Sequence, residues 1–211
     1  IKSFNDSRIK LYHFDSSAIG GGEFKIINKI RCAFLYGIMR TNGDTVYLSD
    51  QDDIWKPNKI ALCESALKKY DIVCHNCDII DDSLTIQGTY KREHISYAYN
   101  FINPPFQGCC MAFTKKIVTQ IKSCQHILNT TELSHDHLIG FLSMIFNGKK
   151  SITIINQSLI WYRRHSQNVS STGGKSNHSL YFKIRYRINE IYVYLRLLNK
   201  KLRNYHKHNL K

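Results

Sequence analysis

Apolar positions change period several times along the chain, and each change marks an element. "RIKLYHF" (8–14) alternates and is rich in β-formers, which predicts a strand; "SSAIGGG" (16–22) breaks it as a loop. From Glu23 to Arg40 the apolar residues at 26, 27, 30, 34, 35 and 38 keep helical spacing until "NGD" (42–44) stops them. "TVYLS" (45–49) reads as a short buried strand, Pro57 pre-sets the first turn of a helix over "KPNKIALCESALKKY", and "DIVCH" (71–75) reads as another strand. "IDDSLTIQGTYKREH" (80–94) looks irregular and polar. "MAFTKKIVTQIK" (111–122) begins a short helix, "HDHLIGFLSMIFNGK" (135–149) is a helix closed by Gly148, and "SITII" (151–155) is a strand. From Ser179 onward "LYFKIRYRINEIYVYLRLL" carries an apolar stripe through one long basic helix or a pair of them.

Helices separated by short apolar strands predict an α/β domain with a mixed, mainly parallel sheet flanked by helices. The expected boundaries are 1–178 for this domain and 179–211 for a basic amphipathic helical tail. In such sheets ligands collect at the carboxyl ends of strands, and Asp50, Asp52 and Asp53 in "YLSDQDDIWKPNK" (47–59) fall at one of those ends.

Charge sharpens the picture because it is segregated. The chain of 211 residues has a net charge of +14, yet residues 1–146 carry 16 Lys/Arg against 15 Asp/Glu, and 147–211 carry 14 against Glu190 alone. Nine of the sixteen acids lie between Asp44 and Asp82. No run of eighteen apolar residues suggests a membrane span, and "IKSFNDSRIK" lacks a signal-peptide layout. Seven cysteines, an odd number, point to reduced thiols in a cytoplasmic protein. The spacing Cys74-His75-Asn76-Cys77 invites zinc, but "CQH" (124–126) is a poor second ligand pair, and small buried residues are the better reading.

If the chain stays extended from Ser49 to Asp52, Asp50 and Asp52 point to the same side. Two carboxylates ~5 Å apart at an effective dielectric of ~20 repel by ~3 kcal/mol, which an oxygen-loving divalent ion, Mg²⁺ or Mn²⁺, offsets together with phosphate oxygens. Capping of the next helix by Asp52 or Asp53 is the alternative, and it leaves Asp50 unexplained.

"YLSDQDDIWKPNKI" closely resembles the D-x-D segment of family 2 glycosyltransferases of the GT-A fold, especially their rhamnosyltransferase-like branch. The resemblance continues in order through "HNCDIIDD" (75–82), "FQGCCMAFTKK" (106–116), "SHDHLIGFLSMIFNGK" and "LIWYRRHSQNVS" (159–170), covering roughly residues 40–170. It implies an inverting, metal-dependent hexosyl transfer from a nucleotide-sugar, dTDP-rhamnose among the donors, to a glycan or lipid-linked acceptor in surface polysaccharide synthesis. Asp52 with Asp50 and His165 would hold Mg²⁺ or Mn²⁺; Asp50, Asp53, Arg163 and Arg164 would face the donor. Asp136 matches the catalytic base, and Trp55, Gly108 and His135 the acceptor side. Each has a plainer reading: a helix cap for Ser134 or Asp136, a surface histidine for His165, a core role for Trp55 and Tyr162. A helix N-terminus also lowers the pKa of Asp136, which weakens it as a base.

Members of that family begin with a strand-helix-strand unit that holds the nucleobase, and this sequence matches them only after it; an inactive transferase remnant is therefore one alternative. The Q-x-x-R-W signature of processive members is absent, which favours single additions. The basic tail suits an anionic membrane surface, placing the protein peripherally on the inner face, or else it is a packing helix with a basic solvated side. Nucleic acid is not an expected partner: a basic binding protein would account for the tail but not for the acids. A metal-dependent nuclease or phosphotransferase would use the acids without accounting for the later motifs.

Overall fold

The computed structural model describes residues 6–20, 22–92, 95, 104–165 and 178–209, the last three by backbone alone. Asn168 and the rest of the motif beyond His165 lie outside the described residues. Among the described residues the sequence forms five α-helices, α1 (Lys25–Ile38), α2 (Lys59–Leu67), α3 (Lys115–Leu128), α4 (His135–Asn147) and α5 (Leu180–Asn209). Six strands accompany them: β1 (Thr45–Tyr47), β2 (Ile54–Trp55), β3 (Ile72–Ile80), β4 (Ile86–Tyr90), β5 (Met111–Thr114) and β6 (Ile152–Arg163).

The sheet runs in the order β1-β5-β3-β6-β2, with β4 added against β3. It is mixed, and the expectation of a mainly parallel sheet is corrected: β3·β6 is parallel, and the other four pairings, the hairpin β3·β4 among them, are antiparallel. Order along the chain predicted the strands but not their directions. Residues 8–14 form no strand; Phe14 instead packs 5.2 Å from Tyr36 of α1. "MAFT" is strand β5 rather than the start of a helix, and α3 follows it directly. The segment expected to be irregular after Ile80 is a hairpin. Asp81 Oδ1 accepts from the Ser83 and Thr85 amides, fixing a turn that holds Leu84 at φ 63°.

Strand alternation sorts the core into two layers. Val46, Leu48, Ile72, Cys74, Met111 and Phe113 face α1, α3, α4 and α5, whereas Val73, Ala112 and Leu159 face α2 with its Cys63 and Leu67. Cys74 and Cys77 belong to different clusters, since positions three apart on a strand point to opposite faces, and so they form no chelating pair. All seven cysteines are free. α4 ends at Gly148 with φ 82°, as its sequence predicts. α5 packs across α3 and α4 and buries Val193 and Leu197 in the main core. No helix among the described residues is long and apolar enough to cross a membrane.

Candidate functional site

Two pairings bring the acidic loop to its place. β2 pairs antiparallel with β6, Ile54 opposite Trp161, so the loop from Asp50 to Asp53 runs beside the chain that leaves β6. Asp53 Oδ1 accepts from the Arg163 amide at 3.2 Å, and Asp52 Oδ2 lies 2.9 Å from His165 Nε2. α2 begins only at Lys59, and neither Asp52 nor Asp53 bonds its first turn, so helix capping does not account for these acids.

Across from this loop stands the N-terminus of α4. Ser134 makes no cap bond; its hydroxyl meets the Tyr186 hydroxyl at 3.1 Å. Asp136 accepts from the His137 amide at 2.9 Å through Oδ1 and from the Gly108 amide at 3.2 Å through Oδ2, which ties α4 to the turn before β5. A Cβ on Gly108 would stand 2.6 Å from His135 Nε2, and only glycine admits that approach. Gly140 does the same for Phe106, whose ring lies 2.2 Å from where a Cβ would be. His135 is stacked on Phe34 at 3.9 Å, and both its ring nitrogens are buried without a hydrogen-bond partner.

Between the two walls lies a cleft of about 650 Å³, bordered by Asp50, Asp52, His165, Gly108, His135 and Asp136. Six of the residues read from sequence thus meet in one place. Asp53 and the Arg163 amide sit behind the acidic wall, and neither the Arg163 nor the Arg164 side chain borders the cleft. Trp55 also lies away from it, its indole beneath Lys59 Nζ at 3.9 Å, and Tyr162 is buried beside the Cys77, Cys109 and Cys110 cluster.

Asp50 and Asp52 share the cleft but not a partner. Asp50 belongs instead to a group with Asp53 and Cys109, whose ligand atoms all lie within 4.8 Å of one another. Burial, then the charges of Asp52 and Asp136, push Asp50 up to about 6. Burial also lifts Asp53 to about 7, against the opposing hydrogen bonds from Cys109 and the Arg163 amide; its Oδ2 has no partner. Asp136 is displaced the other way. Burial raises it, but His135, His137, the Ser134 hydroxyl and the His137 amide outweigh that and hold it below the usual carboxylate range.

Several contributors were not legible as site residues. Arg92 borders the cleft with its guanidinium buried, donating to the carbonyls of Pro105 and His75 and so fixing the 104–108 segment. Tyr186 of α5 bonds His137 Nδ1 at 2.9 Å, and buried Glu190 stands 3.5 Å from the same nitrogen. Helical periodicity places Tyr186 and Glu190 on the inner side of α5, but no sequence pattern points them at His137. Comparison with protein-family models and with curated proteins finds no match for the chain.

Proposed function

We propose that the protein is an inverting, metal-assisted glycosyltransferase of GT-A type that moves a sugar from a nucleoside-diphosphate donor to a glycan or lipid-linked hydroxyl. One observation carries this reading: a single cleft has Asp50 and the Asp52–His165 pair on one wall and Asp136 on the other. The donor set suits Mg²⁺ or Mn²⁺. Asp52 Oδ2 and His165 Nε2, joined by a 2.9 Å hydrogen bond, would hold the ion once the imidazole nitrogen gives up its hydrogen. Asp50, on the same wall of the cleft, would hold a metal-bound water or a ribose hydroxyl.

When bound, the ion supplies positive charge to the departing diphosphate oxygens. That role falls to a metal because Arg163 and Arg164 stand off the cleft wall, and Arg92 is committed to backbone carbonyls. Asp136 is ionised at neutral pH and accepts the acceptor's proton as the hydroxyl oxygen forms its bond to the anomeric carbon and the sugar–phosphate bond breaks. The Gly108 amide orients the Asp136 carboxylate, and the apolar faces of Phe34 and Phe106 offer the acceptor a dry contact surface. A depressed pKa makes a weaker base, and an acceptor that covers the cleft strengthens it by removing water.

The test is release of nucleoside diphosphate from a panel of nucleotide-sugars in the presence of Mn²⁺. Turnover that depends on one sugar and falls in both Asp52→Ala and Asp136→Asn supports the proposal. Turnover indifferent to both substitutions ends it.

A further inference from the structure

α5 carries two apolar faces, and the fold uses one. Phe182, Val193 and Leu197 turn inward and are buried. Opposite them, apolar residues recur from Tyr181 to Tyr205 at intervals that alternate three and four. Ile184, Ile188, Ile191, Leu195 and Leu202 on this outer side are each at least 50 % exposed. Leu180, Tyr181, Tyr192 and Tyr205 widen the stripe and are equally open. A helix that needed only to pack on the core would be polar on its outer side, and an exposed apolar strip of this length implies an occupant.

Charge decides which occupant. α5 holds eight Lys/Arg, and its single acid, Glu190, is buried beside Arg187. At 100° per residue these cations fall on both shoulders of the outer stripe, Lys183, Arg187 and Lys201 on one side and Arg185, Arg196 and Arg203 on the other; Arg185 and Arg187 are paired with Glu132 and Glu190, Arg196 and Lys201 donate to the Thr130 hydroxyl and the Ile145 carbonyl, and Lys183 and Arg203 are exposed. The alternating spacing also fits a second helix, but two copies face to face would crowd like charge along both shoulders. A surface with dense negative charge and an apolar layer beneath it matches both features. The tyrosines fit it too, since their rings suit the boundary between headgroups and acyl chains.

We propose that the outer face of α5 lies flat on an anionic lipid surface, the stripe of Ile184, Ile188, Ile191, Leu195 and Leu202 sunk to the acyl boundary and its positive shoulders level with the headgroups. The inference does not rest on the transferase reading. It adds one consequence to it, because His178, Phe182 and Tyr186 at the start of α5 border the cleft, so the surface that holds the helix also sets how close the cleft stands to lipid.

Co-sedimentation of the full chain with phosphatidylcholine vesicles, with and without phosphatidylglycerol, is the experiment. Binding is expected only to vesicles that contain phosphatidylglycerol, and it weakens as salt is added. The triple substitution Ile184→Glu, Ile188→Glu, Ile191→Glu lowers it at least about tenfold with the thermal melt preserved, since those side chains make no core. Lys183→Gln with Arg203→Gln lowers it about severalfold through charge alone. Failure to bind either vesicle, or undiminished binding by the triple variant, overturns the proposal. So does a dimer in analytical ultracentrifugation that the triple substitution abolishes, because the stripe would then belong to a second copy.

Discussion

The acids after β1, on and just behind one wall of the cleft, and the acid at the start of α4 on the other wall hold their protons oppositely. Asp50 and Asp53 are raised, to about 6 and about 7, whereas Asp136 is lowered. All three are desolvated, so burial is not the difference. Beyond burial, Asp50 has the charges of Asp52 and Asp136 against it and Asp53 has that of Asp50, relieved by the Cys109 thiol and, at Asp53, by the Arg163 amide. Asp136 has two imidazoles and two hydrogen-bond donors from its own helix turn. Partners, not depth, therefore set which carboxylate is charged in this cleft. Asp50 and Asp53 thus hold their protons more tightly than an ordinary carboxylate, and the helix-start acid holds its proton less tightly.

The largest effect that would break this division is catalytic. Asp136→Asn is expected to lower kcat by about 10²–10⁴-fold with little change in the donor KM, read from initial rates of diphosphate release. A loss smaller than about tenfold removes Asp136 as the base. Next, Asp52→Ala is expected to cost about 100-fold in turnover at a fixed low Mn²⁺ concentration and to move Mn²⁺ half-saturation upward, since His165 then holds the ion without its 2.9 Å neighbour. Excess Mn²⁺ restores part of the rate, and EDTA abolishes it.

Stability without metal sharpens the same comparison. A carboxylate whose pKa is raised by folding contributes stability that is complete below its unfolded value of about 4. For Asp50 and Asp53 that contribution is lost as pH rises through about 6 to 7. Asp136, lowered by folding, contributes stability that is present above the ordinary carboxylate range and lost as pH falls below it. In EDTA at pH 8, Asp53→Asn is thus expected to raise Tm by about 2–5 °C and to flatten its decline from pH 5, whereas Asp136→Asn lowers Tm. A lower Tm for Asp53→Asn at that pH would reverse the assignment.

Smaller again is Gly108→Ala. The added methyl group meets His135 Nε2, and the strain is expected to cost about 1–3 kcal/mol, or about 2–4 °C in Tm for each kcal/mol. Last, Tyr186→Phe removes the hydroxyl shared with Ser134 and His137 at a cost of about 1 kcal/mol, seen as a small drop in the same melt.

Local pattern carried much of the fold. α1, α4 and α5 were legible because each keeps helical spacing over several turns, α2 because Pro57 marks its approach, and the positive φ of Gly148 ends α4 where the glycine stands. The failures share a cause. "RIKLYHF" alternates like a strand but finds no partner, "MAFT" is a strand because β1 and β3 lie on either side of it, and strand direction is set by which neighbour each strand meets. Likewise the cleft acids were legible as a cluster, and Asp136 with His135 from their motif. The split of the acids into an Asp52–His165 pair and an Asp50–Asp53–Cys109 group was not, because it depends on the β2·β6 register and on a buried thiol brought in from sixty residues away or so in the chain.

The parallel pairing of β3 with β6 has a consequence for how the chain acquires its shape. Ile72 lies opposite Ile152, so the middle of the sheet closes a loop of some eighty residues that contains β4, β5, α3 and α4. Closing such a loop is slow, and little of its entropy is recovered until the intervening pieces have docked. A ribosome releasing this chain exposes Val73, Cys74 and Cys77 long before their neighbours on β6 exist. Chains cut short of Arg163 should accordingly be found in inclusion bodies or degraded, whatever their helices manage alone.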